Sequence, residues 1–204
     1  LMGAREDNNA ALRYFEQASE IERRIGDREG LLSSESARAS LLLSMDRLPE
    51  ARAVMDRAMF DGKDSTDLWT MGTCLCILSE VLVLQGEVEN ARASAHRVLS
   101  MPGIENNARI RSWAQSDLAL IQIAAGEFDA AQTTMAEPPM EDLGFELTTR
   151  WKLVQSAAAL AGGDADRAHC LAREVYDESS QKELKQLCHT AELMMAVPPV
   201  AVTE

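Results

Sequence analysis

The segment QGEVENARASAHRV, residues 85–98, reads as a tight turn followed by an amphipathic helix, and it recurs along the chain. MDRLPEARAVMDRA (45–58), AGEFDAAQTTMAEP (125–138) and GGDADRAHCLAREV (162–175) align with it without gaps, and EDNNAALRYFEQA (6–18) supplies an earlier copy. The alanine after the turn falls at Ala11, Ala51, Ala91, Ala131 and Ala168, at spacings of 40, 40, 40 and 37. Other columns keep step, which separates a repeat from a coincidence of alanines. The turn column reads Glu6, Asp46, Gly86, Gly126 and Gly163; two residues on, an apolar side chain recurs as Leu48, Val88, Phe128 and Ala165. Seven residues before the turn the chain carries a small residue: Ala39, Ser79, Ala119 and Ser156.

Each unit is therefore a long first helix, a short turn, and a second helix whose alanine packs against that small residue. One hairpin cannot bury its own apolar face; stacked neighbours make the core continuous, and a small rotation per repeat winds the stack into a superhelix. The expected fold class is all-α, a right-handed superhelical α-solenoid of antiparallel helix hairpins. Helices are expected at 9–25, 30–45, 48–61, 66–85, 88–100, 106–125, 128–136, 144–161, 164–178 and 181–196. Pro102, Pro138 and Pro139 fall between them, where a missing N–H is tolerated, and Ser65, Asn106 and Asp164 are the expected caps. Residues 1–204 read as a single repeat domain of about four and a half units, with a capping helix at 181–196 before the tail AVPPVAVTE. The first helix falls in the second-helix column, so the chain is expected to be a fragment of a longer protein.

Composition agrees with an all-helical chain. Of the 204 residues 46% are hydrophobic and only 4% aromatic, with Ala, Leu and Met dominant and β-branched runs scarce. The formal charge of −13 opposes polyanions, and the 20 Lys and Arg residues form no basic stripe; no direct contact with nucleic acid is expected. No apolar run approaches the roughly 18 residues of a membrane span, and the four cysteines form no closely spaced framework, so no membrane association and a reducing, cytoplasmic setting are expected.

QGEVENA, AGEFDAA and GGDADRA resemble the Gly-Asp/Glu-aromatic-x-x-Ala turn of the tetratricopeptide (TPR) family, and ALRYFEQA resembles its second-helix signature. The likeness covers residues 6–178. A standard repeat of that family has a period of about 34, so the 40 found here resembles a long-helix variety. EIERRIGDREG (20–30) resembles the TPR arrays of bacterial signal-transduction ATPases and transcription activators of the MalT type, although no GxxxxGK[ST] is present and DGKDS (61–65) lacks its leading glycine. The family's concave positions, carried over residue by residue, imply a partner-binding groove of Ser36, Ser40, Cys76, Glu80, Trp113, Ser116 and Arg150. Hydroxyls there would give adaptable hydrogen bonds and Trp113 an anchor.

Titratable groups offer no catalytic constellation. His169-Cys170 and Cys188-His189 lie symmetrically about Ser179-Ser180, and Cys170 is expected to pack, buried, opposite Cys188 between the last helices; a disulfide and a Cys2His2 metal site are the alternatives. Adjacent residues on a helix point about 100° apart, which opposes the metal site. Cys74 and Cys76 read as core or groove lining, and Trp69, Trp113 and Trp151 as packing or ligand contacts.

No nucleophile, base and orienter fall together, so no enzyme activity, cofactor or metal is expected. The expected function is a protein-interaction scaffold that binds a peptide or partner domain within a bacterial regulatory or signalling protein. The acidic chain favours a basic partner, and a homodimer is compatible with the sequence. The alternative is a ligand-sensing module of a transcription activator that binds a small molecule or signalling peptide.

Overall fold

One residue of positive φ sets each hairpin turn. Gly86, Gly126 and Gly163 stand at φ 78°, 77° and 84°, and Asp46 holds the same left-handed conformation at 58°. At each, the following N–H reaches back five residues: Arg47 to the Leu42 carbonyl, Glu87 to Leu82, Glu127 to Gln122 and Asp164 to Ala159. The residue of positive φ bonds three residues back in the same turn, so two orphan carbonyls of the ending helix are satisfied together. These are the turns the aligned column demands.

The computed structural model describes residues 2–136, 143–182, 191, 192, 194 and 195, with side chains from residue 7 onward. Among them are α1 (Met2–Ile25), α2 (Arg28–Ser44), α3 (Leu48–Asp61), α4 (Leu68–Leu84), α5 (Val88–Leu99), α6 (Ala108–Ala124), α7 (Phe128–Thr134), α8 (Gly144–Ala161) and α9 (Ala165–Gln181). No strand occurs among the described residues. The expected helix 181–196 lies largely outside them, as do Pro138 and Pro139. At the other end the alignment needs correction. The turn expected at Glu6 is absent, because α1 runs through it from Met2. Glutamate is poorly suited to positive φ, and helix propensity carries the chain on.

Side-chain caps start the first helices. Asp27 accepts from Gly30 N–H, Asp67 from Thr70 N–H, Asn107 from Ile110 N–H and Asp164 from Arg167 N–H. The last was expected. The other expected caps are displaced by one or two residues: Ser65 accepts the Asp67 N–H ahead of α4, and Asn106 ends a short 3-10 turn, Ile104–Asn106.

The chain divides into two compact units, Leu1–Ile104 and Glu105–Glu204. In the first, α2 packs on α3 and α4 on α5 as hairpins, α1 lies against α2, and α4 also contacts α2 and α3. Its core includes Leu32, Met55, Leu75, Ile77, Val81 and Val98. In the second, α6 packs on α7 and α8 on α9, while α8 also contacts α6 and α7. Ala119, Ala131, Met135, Trp151, Val154 and Ala158 form its core cluster.

The two small-residue columns meet as the repeat requires. Ala39, Ser79, Ala119 and Ser156 on first helices, and Ala51, Ala91, Ala131 and Ala168 on second helices, are all fully buried. Where the small residue is serine its hydroxyl does not stay orphaned: Ser79 Oγ donates to the Ala91 carbonyl at 3.3 Å and Ser156 Oγ to the Ala168 carbonyl at 2.8 Å. The hydroxyl thus joins the two aligned columns directly, and its desolvation cost is met.

Candidate functional site

The seven residues carried over as groove positions fall in both units. On α2, Ser36 is buried and donates to the Ser33 carbonyl at 2.8 Å, while Ser40 is half-buried. On α4, Cys76 is wholly buried between Leu75 and Ile77, and Glu80 is half-buried. On α6, Ser116 is buried and donates to the Ser112 carbonyl at 2.9 Å, whereas Trp113 is half-buried. Arg150, on α8, is also half-buried. Ser36, Cys76 and Ser116 therefore have almost no surface to offer; Ser40 and Glu80 in the first unit, and Trp113 and Arg150 in the second, do.

The second unit brings two of these together with a residue the sequence reading passed over. Asp117, one turn after Trp113 on α6, is only 2% exposed and forms an ion pair with Arg150 on α8. The guanidinium carbon of Arg150 lies 6.0 Å from the centroid of the Trp113 ring, within reach of the ring quadrupole. A buried carboxylate thus orients a cation, and the cation stands over an indole with part of its surface in solvent. The helix pair is also tied at its start, where Arg109 Nη1 donates to the Leu143 carbonyl at 2.8 Å. Asp117 was visible in the alignment: its column is otherwise Ala37, Ile77 and Val154, and a carboxylate among apolar residues needs a partner.

The first unit holds a second buried acid. Glu35 on α2 is 3% exposed and pairs with Arg23 of α1 at 3.4 Å and Arg38 of its own helix at 3.5 Å. Arg23 also reaches Asp61 at the end of α3, and Arg38 reaches Glu16. The network joins three helices across one side of the unit. Its charges answer one another within the unit, which makes it structural.

The thiols split. Cys74 and Cys76 are buried in α4, where Cys74 Sγ lies 3.7 Å from the Leu32 carbonyl and burial pushes its thiol up to about 12. A group so held is protonated near neutrality and is no nucleophile. Cys170 corrects the expectation of a buried thiol, being exposed and free. The reason is its column: Ala53, Ala93 and Thr133 occupy the same place two residues past the alanine and are all exposed. Cys188 and His189 lie outside the described residues. Of the tryptophans, Trp151 is core, Trp69 is exposed and Trp113 lies between. Among the described residues no three His, Cys, Asp or Glu side chains gather as a metal site, and no helix is long and apolar enough to cross a membrane.

Comparison with known proteins agrees with the aligned columns in the second unit. No curated protein matches the sequence. A family model described as tetratricopeptide repeat matches residues 112–137, the stretch that carries most of α6, the turn at Gly126, and α7. Trp113 and Asp117 lie inside the matched residues, Arg150 outside them. That match, the helical hairpins and their turn geometry support a tetratricopeptide repeat family for this chain.

Proposed function

We propose that this chain is a protein-interaction scaffold: one continuous TPR array of long helices, wound as a right-handed solenoid, that presents a surface to a peptide or partner domain. The observation that carries the reading is Trp113 under Arg150, held by buried Asp117. A half-exposed indole with its cation already oriented loses little freedom on binding, the property that concentrates binding energy in a few anchors. Tetratricopeptide repeats suggest protein partners and typically do no catalysis, which favours a binding role over an enzymatic one. Ser40 and Glu80 would extend the surface, with Glu80 favouring a basic group. A cytoplasmic regulatory or signalling protein of bacterial origin is the setting we propose, resting on the sequence resemblance at EIERRIGDREG.

The test is a displayed library of random peptides panned against the folded chain, with Trp113→Ala as the counter-target. Enriched peptides should bind the parent and lose at least tenfold, about 1.4 kcal/mol, on the variant, with far-ultraviolet circular dichroism unchanged. Enrichment of peptides that bind both equally, or no enrichment at all, overturns the proposal.

A further inference from the structure

We infer that the outer face of α1 is a dimerisation surface, which takes α1 of a second copy of this chain in antiparallel register. The inference is independent of the α6–α8 site and starts from the repeat columns. In α3, the side chains at Ala51, Met55 and Ala58 are fully closed off, and the same three columns are closed in α5 and α9. Their counterparts in α1 are Ala11, Phe15 and Ala18, and all three are only half-buried. The next column makes the contrast larger: Val54 and Ser94 are each 9% exposed, whereas Tyr14 is 70% exposed. Among the described residues α1 packs on α2, and no helix lies on the face where α3 receives the first helix of its hairpin.

The uncovered face has a pattern of its own. Ala11, Tyr14, Ala18, Ile21 and Ile25 follow one another at spacings of three and four, the seam of an antiparallel helix pair. Ile21 is 56% and Ile25 71% exposed. A two-fold axis near residues 19 and 20 sets Ala18 against Ile21 of the second copy, and Tyr14 against its Ile25. Small meets large in the inner layers, and each layer is made twice, as an isologous interface requires. The flanking positions place Glu22 beside Phe15 and Arg24 beside Gln17. No like charges meet along the seam, although each copy carries −13 overall. Self-complementarity of size and charge points to a second copy, since a seam shaped for an unlike helix has no reason to fit itself.

Sedimentation equilibrium of the chain at physiological ionic strength tests this. The expected result is a monomer–dimer equilibrium whose dissociation constant rises at least tenfold in Tyr14→Glu with Ile21→Glu, while helicity is retained. Should two glutamates unfold α1, Tyr14→Ser with Ile21→Ser serves in their place and must weaken the dimer in the same direction. A chain that stays monomeric to high concentration overturns the inference and leaves the face to a helix of another protein. A dimer indifferent to both double variants overturns it by placing the interface elsewhere.

Discussion

Arg150 is the residue at which binding and stability are hardest to separate. Its partner Asp117 is 2% exposed, so truncating Arg150 leaves a carboxylate without its cation inside the α6–α8 contact. Breaking a buried pair costs roughly 3–5 kcal/mol, and the lower end applies because the Arg150 side chain keeps 28% of its exposure. Arg150→Ala should therefore lower the urea midpoint substantially, whereas Asp117→Ile with Arg150→Met should recover most of it, since neighbouring repeats carry Ile77 and Val154 at the Asp117 column. Equal losses in the single and double variants would show that the pair does not govern the site. The same residues mark how far the site was legible. Trp113 and Arg150 followed from the resemblance, but Asp117 was passed over for Ser116, its neighbour in sequence. Transferred groove positions also gave Cys76, which cannot reach solvent because Leu75, Cys76 and Ile77 are buried in succession and α4 is enclosed on all sides there.

At the scale of the helix, α4 depends on its first turn. It carries no acidic residue within that turn, and Asp67 alone caps it from outside. Hydrogen bonds from Thr70, side chain first and backbone N–H second, hold the Asp67 carboxyl below its ordinary value of 3.8. The sign follows: the folded state binds that proton less readily than the unfolded chain, so the stabilisation is fully present above pH 3.8 and is lost as pH falls through the lowered value. Asp67→Ala should cost about 0.5–2 kcal/mol near neutrality, and its deficit should shrink on acidification. Asp67→Asn keeps an acceptor without the titration and should depend less on pH over that window. Denaturant melts across the acid range decide between this and a deficit constant with pH, which would exclude the carboxylate as the source. Helix ends were otherwise readable, because the turn column fixes them: Leu48–Asp61 and Gly144–Ala161 fall where the periodicity sets them. Glu6 misled because an alanine column can continue past a position where the turn residue has gone.

At the scale of the whole molecule, the columns make stability local. Every hairpin repeats the same alanine contact, and in such arrays each unit answers mainly to its neighbours, so a lesion should be felt near where it is made. The division into Leu1–Ile104 and Glu105–Glu204 gives that expectation a boundary. Ala131 is fully buried in the cluster with Ala119, Met135 and Trp151, where a leucine has no room. Ala131→Leu should cost roughly 1–3 kcal/mol by overpacking. In native-state hydrogen exchange the loss should raise rates in α6, α7 and α8 and leave α2 and α3 protected as before. If protection falls equally in every helix, the chain opens as one cooperative body. The distinction bears on binding, because Trp113, Asp117 and Arg150 all lie in the second unit. Local opening there would release the anchor while the first unit stays folded, and a ligand seated on Trp113 should restore protection in α6 and α8 before anywhere else.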